Sequence, residues 1–175
     1  LLTSLFLAGK VPQLDAAVQE SKALHPSSLA VQTFDGIVKV IRGNTDEAEP
    51  VLLGVLDQNP NQPFVNHSLA LVRRAQGDPN AAEQFLNEEI RLHPPAIPAR
   101  RTLVEVLAEQ RRYDDQLVQL NVIASQERPS ALTMHSRAQA LFNLGRIDEA
   151  ATETTRCRET DPRYPGCWML WANVL

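Results

Sequence analysis

The sequence predicts an all-α array of helix pairs, and three observations carry that expectation. Gly9, Gly43 and Gly77 stand 34 residues apart, Gly145 lies two periods further on, and Pro26, Pro60, Pro94 and Pro162 keep the same spacing. Between these fixed points apolar residues recur at intervals of three and four, as in Leu103, Val104, Val106 and Leu107, then Leu117, Leu120 and Ile123. That is the stripe of a helix with one buried face. No stretch alternates apolar and polar residues over the length of a strand. Self-similarity at a fixed period marks a repeat architecture. One register covers the chain without insertion: a partial unit at 1–28, full units at 29–62, 63–96, 97–130 and 131–164, and a partial unit at 165–175.

Each unit reads as two helices. The glycine ends the first in a left-handed conformation. Asp46, Asn80, Asp114 and Asp148 share the next slot, where their side-chain oxygens are expected to cap the second helix. Asp46 with Glu49 and Asn80 with Glu83 resemble capping boxes. The far proline blocks the second helix, and Pro63, Pro98 and Pro165 are expected to open the next helix at tolerated first-turn positions. Unit 97–130 departs from the pattern, with Arg111 in the glycine slot and Pro129 one place late, yet Asp114 keeps the frame. The opening LLTSLFLAG is apolar like a signal peptide's central region but lacks the preceding basic residues. It fits the repeat frame and is expected to be helical. With no initiator methionine, the sequence is expected to be a segment of something longer.

Bulk properties narrow the function. The 175 residues are 43% apolar and 22% charged, an ordinary globular balance, and at 5% aromatics the packing must fall to small and aliphatic side chains. A formal charge of −4 argues against a nucleic-acid binder, which needs a basic face. No run approaches the length needed for membrane insertion.

The frame resembles the tetratricopeptide repeat, which has 34 residues, a small residue at position 8, alanine at 20, a large apolar residue at 24 and proline at 32. Position 20 holds Leu14, Ala48, Ala82, Gln116 and Ala150; position 24 holds Val18, Leu52, Leu86, Leu120 and Thr154. Gly36, Ala70, Ala138 and Ala172 supply the small residue, and Trp168, Trp171, Ala172 and Leu175 follow the W-x-x-L-G-x-x-Y opening. Asp35 and Arg137 stand where leucine is usual, and Val104 where a small residue is. The resemblance implies a right-handed superhelical solenoid, a single array over 1–175, in which lone hairpins cannot bury their apolar faces and neighbours must stack.

It also implies a use. In this family the first helix of each unit lines a concave groove, mainly through positions 2, 5, 9, 12 and 13. Carried onto this sequence, the groove candidates are Phe64, His67, Leu71, Arg74, Arg101, Glu105, Leu132, His135, Gln139 and Phe142. His67, Arg101 and His135 would form a column, one per unit, suited to an acidic or carboxylate-bearing segment. The clamp that some members use for chaperone tails needs Lys and Asn at positions 5 and 9, and Thr33/Ile37, His67/Leu71 and His135/Gln139 do not supply it.

Catalytic signals are lacking. His25 and His93 precede hairpin-ending prolines, where a helix C-terminus suits them, and the four histidines show no metal spacing. Asp114 and Asp115 read as a cap and a first-turn acid, and no glycine-rich phosphate loop follows a strand. The expected protein is therefore a scaffold without cofactor or metal, not an enzyme, that binds a peptide or protein segment. The competing readings are the recognition arm of a larger enzyme, of the kind found in glycosyltransferases and prolyl isomerases, and a chaperone for a secreted protein. Cys157 and Cys167 flank Pro162 symmetrically, and either a disulfide or two buried thiols fits. The bond would imply a periplasmic or secreted protein; without it, the cytoplasm stays open. Trp168, Met169, Leu170 and Trp171 crowd the last helix, which points to a continuing chain or to self-association through that end.

Overall fold

The computed structural model describes residues 1–174, with side chains through Asn173. Leu175, the last residue of the W-x-x-L-G-x-x-Y match, lies outside the described residues. The described residues form eleven helices and no strand: α1 (Leu2–Leu7), α2 (Val11–Leu24), α3 (Leu29–Ile41), α4 (Thr45–Gln58), α5 (Val65–Ala75), α6 (Pro79–Leu92), α7 (Ile97–Glu109), α8 (Tyr113–Gln126), α9 (Ala131–Asn143), α10 (Ile147–Thr160) and α11 (Pro165–Val174). Each full repeat is one hairpin. The helices fall into two compact units, residues 1–94 and the remainder from Pro95, divided near the join of repeats 63–96 and 97–130.

In the first unit, the core lies between hairpins as well as within them. Ala48, Leu52 and Val55 of α4 cluster with Val65, Leu69 and Val72 of α5, which opens the next repeat. Leu14 and Val18 of α2 likewise join Phe34, Ile37 and Val38 of α3. In the second unit, one cluster draws on four helices: Leu117, then Ala138, Ala140 and Leu141, then Ala150, then Leu170. Residues at positions 20 and 24 are buried throughout. Full burial of one leucine is worth about 1.5–3 kcal/mol, so the fixed letters are the ones that build the core within each unit. Gly36 shows why position 8 is small. A Cβ there would lie 2.5 Å from Leu52 Cδ2.

The turns keep one conformation, including where the residue changes. Gly9, Gly43, Gly77 and Gly145 have φ of 65°, 80°, 80° and 73°, and Arg111, in the same slot, adopts 58°. The closing turn of α7, in which the Arg112 N–H donates to the Leu107 carbonyl at 2.9 Å, thus imposes a left-handed residue on a side chain that disfavours it.

The capping expectation is corrected. Asp46, Asn80, Asp114 and Asp148 lie inside the first turn, because the second helices begin one residue before them. The true N-caps are Asn44, Asp78, Arg112 and Arg146, and of these Asp78 supplies a side-chain bond, accepting from the Ala81 N–H at 3.0 Å. The acids at the second position still favour the positive end of the helix dipole. Pro63 precedes α5, whereas Pro98 and Pro165 do lie in the first turns of α7 and α11.

The departures at position 7 are met by ion pairs in which the carboxylate is buried and the cation reaches solvent. Asp35, 5% exposed, accepts from Lys22 Nζ at 2.8 Å. Arg137 lies 3.7 Å from Glu153, which also accepts from Arg156 at 2.9 Å. Val104, at the small position, packs with Leu120 and Ile123.

Candidate functional site

The candidates of the first unit all lie on α5 or at its start. Phe64 is the N-cap, in left-handed backbone at φ 69°. Its ring packs edge-on to Phe6 with centroids 5.3 Å apart and tilts against Phe34 at 6.2 Å. It therefore belongs chiefly to the α2–α3 cluster. Glu89 of α6, buried, accepts from the Phe64 N–H at 2.8 Å and lies 3.4 Å from the His67 N–H. A carboxylate from a neighbouring helix thus does both jobs of a capping box, at the end of the helix that favours negative charge.

His67, one turn on, is 6% exposed, and burial pushes its imidazole down to about 4. It is neutral at physiological pH and withdrawn from the surface. Leu71 and Arg74 follow on the same face of α5, both half-buried.

In the second unit, Arg101 and Glu105 of α7 and Leu132 of α9 line one cavity of about 100 Å³, over a floor that includes Val104, Leu120 and Ile123. The Arg101 guanidinium donates to the Glu127 carboxylate at the end of α8. Glu105 is exposed, and Leu132 is 50% exposed, a large apolar side chain left open beside a charged pair. His135 is half-buried, packs edge-on against Tyr164 at 5.7 Å, and has its imidazole pKa lowered by desolvation. Gln139 donates to Asn143 at 3.3 Å, and Phe142 packs against the Leu117–Leu141 cluster.

The structure thus gathers three candidates, Arg101, Glu105 and Leu132, around one concavity. Burial keeps His67 and His135 toward the neutral form, and Glu127 compensates Arg101. Glu127 was not singled out in the sequence. It sits at a helix end with no marker of its own, and its pairing with Arg101 appears only once the hairpin is folded.

The far end of this unit holds the cysteines. Cys157 of α10 and Cys167 of α11 are joined as a disulfide, with Cα atoms 5.8 Å apart, buried beside Ala131, Met134 and Tyr164. Next to them the Arg158 guanidinium lies 3.8 Å from the centroid of Trp168 and 4.3 Å from that of Trp171. A cation over both indoles covers part of the aromatic surface that the sequence left open, while Met169 remains 70% exposed. Among the described residues, no three His, Cys, Asp or Glu side chains group as a metal site, and no helix is long and apolar enough to cross a membrane.

Against known proteins, a family model described as tetratricopeptide repeat matches residues 131–153, and α1–α10 form five successive helix hairpins, with α11 following them. The chain is similar to tetratricopeptide-repeat proteins, by sequence over that segment and by fold along its length. Human tetratricopeptide repeat protein 7A is 29% identical over 93 residues, which is 53% of this chain and 11% of that protein. The chain therefore matches about a tenth of that relative's length. Among solved structures, a thermophilic tetratricopeptide-repeat protein of Thermus thermophilus aligns with a TM-score of 0.72 at 15% identity, over 99% of this chain and 94% of its own. YrrB, described as a tetratricopeptide-repeat protein with an unusual peptide-binding site, aligns at 0.71 and 17% identity, over 99% of this chain and 89% of its own. At these identities the likeness carries the fold alone.

Proposed function

We propose that this repeat array is a non-catalytic interaction scaffold whose first helices receive a peptide or protein segment, anchored in the second unit at Arg101, Glu105 and Leu132. The observation that carries the reading is the half-exposed Leu132 side chain sharing a cavity with an arginine and a glutamate. An apolar anchor ringed by polar groups is the usual anatomy of a recognition site. The segment that fits places an apolar side chain on Leu132 and an acidic group near Arg101, where it competes with Glu127 for the guanidinium. The acidic preference rests on Arg101 and is weaker than a three-residue column would give. The family's repeated use of such faces, and the peptide-binding site of YrrB, support the same choice.

The test is affinity capture from cell extract with the wild-type chain and with Arg101→Glu and Leu132→Glu, each quantified by mass spectrometry. A protein retained by the wild type and depleted about tenfold or more by both variants, a loss of roughly 1.4 kcal/mol, is the expected result. An identical retained set for all three chains would overturn the reading.

A further inference from the structure

Between the second helices of the first unit, α4 and α6, runs an open groove that none of the candidates above touches. Leu53 and Leu56 of α4 and Phe85 of α6 form its apolar walls, Asn66 of α5 lines it, and Asp57 and Glu88 contribute carboxylates, around a volume of about 680 Å³. Asn66 stands at the fourth position of its repeat, three periods before Trp168, the position where the family's opening phrase has tryptophan. In the last repeat the Trp168 indole donates from Nε1 to the Pro162 carbonyl at 2.8 Å. Pro60, three periods before Pro162, lines the groove beside Asn66. The smaller amide leaves open the volume that an indole would fill.

Asn66 also carries an unmet demand. The residue is 2% exposed, and its side-chain Nδ2 is buried without a hydrogen-bond partner. Buried amides are nearly always paired, so an orphan beside an open apolar groove calls for an acceptor from outside.

We propose that this groove binds an extended protein segment that seats an aliphatic side chain against Leu53, Leu56 and Phe85, presents a main-chain carbonyl to Asn66, and carries a basic residue toward Asp57 and Glu88. An extended segment fits because its carbonyls are free, whereas a helix commits them to its own ladder. The charge follows from the two carboxylates. Glu88 is shared with Arg91 at 2.6 Å, a surface pair three residues apart that an incoming cation can displace at little cost.

The test titrates the ¹⁵N-labelled chain with acetyl-Lys-Leu-Leu-Lys-amide and with acetyl-Glu-Leu-Leu-Glu-amide, following backbone and asparagine side-chain resonances. The basic peptide is expected to give saturable shifts confined to α4, α6 and the Asn66 amide, with affinity about tenfold above the acidic one. Asn66→Leu should remove those shifts. Asp57→Lys, an exposed change that leaves the fold intact, should reverse the preference between the two peptides. Absence of saturable shifts, equal affinity for both peptides, or shifts confined to α7 and α9 would overturn the proposal without bearing on Arg101 and Leu132.

Discussion

His67 shows how one residue changes meaning between sequence and structure. By position it is a groove histidine; by burial it is a core histidine with a pKa near 4 instead of 6.5. Desolvation disfavours its charged form, so the folded chain resists a proton that the unfolded chain accepts. Its contribution to stability is therefore complete above pH 6.5 and is lost as pH falls from 6.5 toward 4, by roughly 3 kcal/mol. Carboxylates titrate over part of the same range, so the informative quantity is the difference from His67→Gln. Urea unfolding of both chains should give curves that converge by about that amount across the window, and parallel curves would show that His67 is not buried in this way. The sequence offered no warning. Burial of a position 5 side chain depends on how neighbouring helices pack over it, which the repeat pattern alone does not encode.

At the scale of the element, the helix boundaries were legible because glycine, proline and the 34-residue spacing act locally. Their caps were less so. The slot holding Asp46 and Asp148 is regular enough to read as an N-cap, yet the helices start one residue earlier, and the cap of α5 comes from Glu89 on another helix. Local pattern cannot reveal a partner that only tertiary contact supplies. Arg111 gives the sharpest element-level prediction. It follows α7 at φ 58° in a slot otherwise held by glycine, and a non-glycine residue loses about 1 kcal/mol in that conformation. Arg111→Gly should raise the thermal midpoint, with a stability gain of about 1 kcal/mol by calorimetry, since the backbone there is already what glycine prefers. An unchanged or lower midpoint would mean that the arginine side chain stabilises the turn by other contacts.

For the whole molecule, the repeat register predicted which residues are buried. Leu52, Leu86 and Ala150 are fully buried, as the repeat register places them. Binding positions vary from repeat to repeat, so periodicity says nothing of their chemistry, and the Asn66 groove became visible only when the space left by a missing aromatic was seen. The central claim is that a partner is held on the first helices of the second unit. Amide hydrogen exchange of the free chain and of its complex with a captured partner tests this most directly. Slowed exchange over α7 and α9, centred on the turns carrying Arg101 and Leu132, is the predicted result; slowed exchange confined to α8 and α10, or none in this unit, would contradict it.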